Sequence, residues 1–158
     1  MKLILISALV VMGFSASSYS QKKVQSQNEI NMKLNAGLIT EKINETKQFY
    51  TENLYFEVIF ENEFYLLMQT PGGHAQLSFL LPDHPSQQPL FQSRFQGNGV
   101  YITIEVDDVD EIYHRLKLKG VEIKIDLRDE PWGDRHFAIQ DPNGVGIDIV
   151  KYTAPAQG

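Results

Sequence analysis

The stretch Asp129–Val150, DEPWGDRHFAIQDPNGVGIDIV, decides how this chain is read. It runs as a loop, a strand, a tight turn and a second strand, with one carboxylate, Asp148, inside an apolar alternation. The turn follows from its residues: Pro142 presets φ after Asp141, and Asn143-Gly144 accepts the positive φ values of a tight hairpin. Val145, Ile147 and Ile149 then share one face of the last strand, and Gly146, Asp148 and Val150 share the other. An acid placed there needs a partner, because burying it alone costs several kcal/mol.

Upstream of this stretch, Val100–Val106 alternates cleanly and predicts a strand with Ile102, Ile104 and Val106 on its apolar side and Tyr101, Thr103 and Glu105 opposite. Asp108-Val-Asp-Glu111 is a capping-box-like start for a helix whose Val109, Ile112, Tyr113 and Leu116 keep helical spacing, and Gly120 ends it. Strands over Val121–Leu127, Arg135–Ile139 and Val145–Lys151 complete the half.

The same order of elements occurs earlier with almost no residue identity. Leu34–Thr40 reads as a strand, and Asn44 caps a helix running to about Asn53. Tyr55–Phe60, Phe64–Gln69 and Ala75–Leu81 read as three strands, the last pair joined by the turn Pro71-Gly72-Gly73. A proline-bearing connection, 82–98, separates the two halves. The fold class is therefore α+β, as a repeated strand, helix and three strands that complete one core between them.

The duplicated plan, together with the segments PWG and DPNG and the closing strand that carries an acid, resembles the vicinal oxygen chelate superfamily. That group includes glyoxalase I, extradiol dioxygenases and bleomycin-resistance proteins. GVYITIEVDDVDEIYHRLKLKGVEI in the second half and QFYTENLYFEV in the first carry the likeness, with Tyr55 standing where the family usually has glycine. The resemblance implies two βαβββ modules, about 34–81 and 99–152, within one domain over 34–154. Their mixed sheets curve into a cup that holds a small molecule, often at a module or dimer interface, so a homodimer is expected.

Metal-dependent members hold a divalent ion by His or Gln on the first strand of a module and Glu on its last. Those places fall here at Asn35, Ser78, Tyr101 and Asp148. Only Asp148 keeps a strong ligand type, since tyrosine and serine are poor ligands for a hard cation and an amide offers a neutral carbonyl. The expectation is a metal-free, bleomycin-resistance-like cup with no cofactor, and a divalent metal stands as the alternative. Binding contacts are assigned to Asn35, Ser78, Tyr101, Thr103, Trp132, His136 and Asp148. In the enzymatic alternative, a lyase or isomerase acting on a small oxygenated substrate, Asp148 is the general base and Tyr101 polarises a carbonyl; a metal-dependent dioxygenase or lyase that uses His136 or His74 is a further alternative.

Each of these residues also has a structural reading. Asp148 could be held by backbone N–H groups or by Arg135, Trp132 could pack a loop, and His136 could lie at the surface with Arg135 facing inward. Residues 1–20 have the layout of a secretory signal: Lys2, an apolar run Leu3–Phe14 too short for the roughly 20 residues of a membrane span, then small residues. Export to the periplasm or medium is expected, with 21–33 as a linker and no membrane contact after cleavage. A formal charge of −6 without a basic stripe argues against nucleic acid and favours a cationic guest. The absence of cysteine removes disulfides, thiolate metal sites and cysteine nucleophiles together.

Overall fold

A computed structural model describes residues 33–153; the expected signal and most of the linker lie outside them. The first half consists of β1 (Asn35–Ile39), α1 (Ile43–Leu54), β2 (Glu57–Glu61), β3 (Tyr65–Gln69) and β4 (Gln76–Leu80). The second has β5 (Tyr101–Glu105), α2 (Val109–Leu118), β6 (Ile125–Asp129), β7 (Asp134–Gln140) and β8 (Gly146–Tyr152). Each half forms a four-stranded mixed sheet, ordered β1-β4-β3-β2 and β5-β8-β7-β6. In both, the first strand runs parallel to the last and the remaining pairs are antiparallel. This is the repeated βαβββ plan.

One face of each sheet is covered by its own helix. Leu66, Met68 and Phe79 are buried in the first sheet, and Phe137, Ile139, Ile147 and Ile149 in the second; they join Tyr50, Leu54, Val109, Tyr113 and Leu116 of the helices in one core. The alternation of the strands puts the polar residues on the other face. Arg135 belongs to the helix-facing side, where its guanidinium reaches Asp110 of α2 at 2.6 and 2.8 Å and Asp129 at 2.9 Å.

Local chemistry moves several element ends. α1 starts at Ile43, after Lys42 rather than at an Asn44 cap, and no side chain caps it. Asp108 does cap α2, accepting from the Glu111 N–H at 2.9 Å. β6 starts at Ile125 instead of Val121, because the Val121 N–H is used to close α2 on the Leu116 carbonyl at 3.0 Å. β2 starts at Glu57 because Tyr55 ends α1 in the left-handed region at φ 59. That conformation costs a non-glycine residue about 1 kcal/mol, which is the physical reason glycine suits this position.

The DPNG turn joins the halves. Thr40 Oγ1 donates to Asn143 Oδ1 at 2.6 Å, and Asn143 Nδ2 donates to Thr46 Oγ1 at 3.0 Å. Tyr50 donates to Asp141 at 3.3 Å, and Lys42 Nζ donates to the Pro142 carbonyl at 2.6 Å. Burial first, then the neighbouring Asp141 charge and the hydrogen bond to it, push the Tyr50 hydroxyl pKa far above its ordinary range. At the other end of the contact, Arg115 Nη1 donates to the Asn53 carbonyl at 2.8 Å and Lys119 Nζ to the Glu52 carbonyl. Arg115 of α2 and Lys119, just after that helix, therefore satisfy C-terminal carbonyls of α1, where the helix dipole favours positive charge.

Candidate functional site: two polar sheet faces

On the helix-free face of the first sheet, Ser78 Oγ donates to Asn35 Oδ1 at 3.0 Å. The contact is possible because Gly37, the register partner of Ser78, carries no side chain. A Cβ at Gly37 would lie 3.1 Å from Ser78 Oγ. Gly37→Ala is accordingly expected to push the hydroxyl off Asn35, costing about 1 kcal/mol of stability in a denaturant melt and weakening any guest held by this pair.

On the second sheet the same logic assembles a larger group. Thr103 on β5, Asp148 on β8 and Ala138 on β7 are register partners, and His136 sits diagonally across from Asp148 on the same face. Ala138 offers only a methyl, so the imidazole reaches past it: His136 Nδ1 lies 2.7 Å from Asp148 Oδ1. The other ring nitrogen, Nε2, lies 3.2 Å from Glu130 Oε1. Arg128, the register partner of His136, pairs with Glu130 at 2.6 Å. His136 and Glu130 side chains are only 13% and 11% exposed, whereas Asp148 keeps 32%. The histidine is walled in and the acid is presented.

Burial pulls the His136 pKa down, but hydrogen bonds and charge from Asp148 and Glu130 outweigh it and hold the imidazolium above its ordinary value. Glu130 was not among the sequence candidates. The β6–β7 hairpin folds it back beside a histidine six residues later, where Gly133 N–H bonds the Glu130 carbonyl at 3.0 Å. Only strand register reveals that pairing.

The remaining candidates fall as follows. Tyr101 is 75% exposed at the start of the free edge strand β5, and it is a register partner of Gly146, not of Asp148. Trp132 is 61% exposed at the hairpin tip, its Nε1 donating to Asp134 at 2.8 Å. The partner of Asp148 is thus His136, in place of Arg135. Among the described residues no hydrogen bond joins the Asn35–Ser78 pair to the Asp148–His136 group. The polar faces of the two sheets carry two separate groups.

The donor set at the positions that the resemblance implies for a divalent ion does not suit one. At the four family positions there is one carboxylate, an amide oxygen already accepting from serine, and an exposed phenol. Among the described residues no cluster of three His, Asp or Glu side chains is arranged to hold an ion.

The model of the Glyoxalase/Bleomycin resistance protein/Dioxygenase superfamily matches residues 33–149, and the chain belongs to that family. Solved structures share the fold. A glyoxalase/bleomycin resistance protein/dioxygenase from Nocardioides is 20% identical over 80% of this chain and 85% of its own, with a TM-score of 0.64. TnmS3, an antibiotic binding protein from a Streptomyces species, is 21% identical over 79% of this chain and 98% of its own, at 0.63. The bleomycin resistance determinant encoded on transposon Tn5 is 22% identical over 77% and 98%, at 0.57. No curated protein matches the sequence.

Proposed function

We propose that this protein binds a small cationic or amine-bearing molecule in a metal-free cup, as an exported homodimer of the bleomycin-resistance-like type. The Asp148–His136–Glu130 group carries the reading: a half-exposed carboxylate, oriented by a nearly buried histidine, is preorganised to accept a hydrogen bond from a guest. The Asn35–Ser78 pair supplies a neutral donor and acceptor from the other half-site. Antibiotic binding by TnmS3 on the same fold supports the class of guest.

A dimer brings the half-sites together. β1 and β5 are both edge strands, with unpaired backbone groups and the exposed side chains of Leu34, Val100 and Tyr101 beside them. Pairing the β1 edge of one chain with the β5 edge of another would place Asn35 and Ser78 in line with Tyr101, Thr103 and Asp148. Trp132 then serves as an aromatic wall.

A second reading rests on the same histidine. An imidazole between two carboxylates can accept and return a proton, which suits lyase or isomerase chemistry on a carbonyl substrate, with Asp148 or His136 as base.

The test is a thermal-shift and calorimetric titration with cationic glycopeptide antibiotics, alongside light scattering for mass. Binding is expected to raise the melting temperature in wild type by an amount equivalent to about 2–3 kcal/mol at 100 times the dissociation constant. Asp148→Asn and Ser78→Ala are each expected to weaken it by about tenfold. A monomeric mass, or guests indifferent to both substitutions, would sink the proposal.

A further inference from the structure

Between the two halves lies a cavity of about 660 Å³. Its walls include Leu54, Phe56, Leu77, Ile104, Ile112 and Ile149. Both faces of β5 border it, through Ile102 and Ile104 on one and Thr103 and Glu105 on the other. The size is that of a pocket for a small organic molecule.

One end of this cavity holds a cation. Arg115 lies one turn beyond Ile112 on the same face of α2, and both line the cavity. A single guanidinium nitrogen is used, Nη1 on the Asn53 carbonyl, and Cζ lies over the Tyr55 ring, 4.3 Å from its centroid. Among the described residues Arg115 forms no ion pair within 4.0 Å, although it is half-buried. A half-buried charge without a counter-ion is costly, and guanidinium is shaped to accept a carboxylate through two parallel hydrogen bonds.

Glu105 and Asp107 also line the cavity; Asp107 precedes the N-terminus of α2, and Arg115 lies about 9 Å along that helix from Val109. An occupant with one anionic group is therefore oriented, with its carboxylate at Arg115 and its neutral part away from that charge. Tyr55 supplies the third observation. It is held in the left-handed region at φ 59, lines this cavity, and stacks on both Arg115 and Lys119. Strain kept in a tyrosine where glycine would relax it points to a use for the ring.

We infer that the cavity between the halves is a second binding site, selective for an apolar monocarboxylate, in which Arg115 stacked on Tyr55 recognises the carboxylate. Its recognition group is separate from Asp148, His136 and the Asn35–Ser78 pair, none of which lines the cavity.

Octanoate and 1-octanol, matched in their apolar part, are the probes, titrated against the full chain by calorimetry and saturation-transfer NMR. Octanoate is expected to saturate and to bind at least about tenfold more tightly than 1-octanol. Arg115→Gln should erase that preference while leaving 1-octanol binding intact. Tyr55→Gly should weaken octanoate and raise the melting temperature, which separates loss of the site from loss of the fold. Ile104→Trp should block both probes, and Asp148→Asn neither. Equal affinity for the two probes, octanoate binding that survives Arg115→Gln, its loss in Asp148→Asn, or no saturable binding at all would each overturn the inference.

Discussion

Replacing Asp141 with alanine is expected to lower the melting temperature by about 10 °C, the largest loss from any single polar deletion in the described chain. The side chain is 5% exposed and accepts four hydrogen bonds. Its Oδ1 takes the Asn143 and Val145 N–H groups at 2.8 and 2.9 Å, and its Oδ2 takes Asn143 Nδ2 at 3.0 Å and the Tyr50 hydroxyl at 3.3 Å. Alanine leaves these donors buried without an acceptor, at a cost of about 3 kcal/mol. The damage also travels: Asn143 loses its anchor and with it the bonds to Thr40 and Thr46 that tie the turn to the first half. Asp141→Asn keeps the shape and one acceptor oxygen, so it should lose about half as much in a urea melt. A loss below about 1 kcal/mol for the alanine variant would show that the turn does not hold the halves together.

The second large effect concerns His136 and is pH-dependent. Its folded-state pKa is raised above the ordinary 6.5, after burial has been outweighed by the two carboxylates. A raised histidine contributes stability that is fully present below the unfolded pKa and is lost as pH rises through the folded pKa. His136→Gln is neutral throughout, so wild type should exceed it by roughly 2 kcal/mol at pH 6. The gap should narrow steadily toward pH 8. Urea melts of both proteins across that range measure it, and the His136 Hε1 resonance should titrate above 6.5. Parallel stability curves would mean that the carboxylates do not hold the proton on the ring. If the guest is a cation, its affinity should rise over the same interval, because a neutral His136 leaves the charge of Asp148 unopposed.

The two predictions differ in how visible their residues are along the chain. Asp141 and Asn143 were legible as turn residues, and their turn forms. Their second role, satisfying Tyr50, Thr40 and Thr46 from the other half, depends on contacts across about a hundred positions. Alternation separated Asp148 from Ile147 and Ile149 correctly, because strand side chains have a period of two. It could not choose between Arg135 and His136, since adjacent residues on β7 must face opposite ways and either phase leaves one charged group inward. Pairing with β8 made the choice: Ala138 opposite Asp148 fixes His136 on the polar face and sends Arg135 to Asp110.

Family likeness placed Asn35, Ser78, Tyr101 and Asp148 at corresponding points of the two modules, and they lie on β1, β4, β5 and β8. What it did not convey is that Asn35 and Ser78 satisfy each other, or that Glu130 closes the far side of His136. Tyr55 illustrates the opposite case. It looked only like a departure from a glycine pattern, yet its left-handed backbone turns the ring onto Arg115 and Lys119.

By itself the sequence determined the repeated βαβββ order, the helix-facing side of each strand and the position of the tight turn. These are written in short-range periods of two and 3.6 residues and in the φ preferences of proline, asparagine and glycine. Tertiary structure alone decided which polar groups meet, where the cavity lies and which charges go unpaired. Hydrogen bonds and ion pairs act over a few ångströms in space, and the register that brings distant residues that close is a property of the folded sheets.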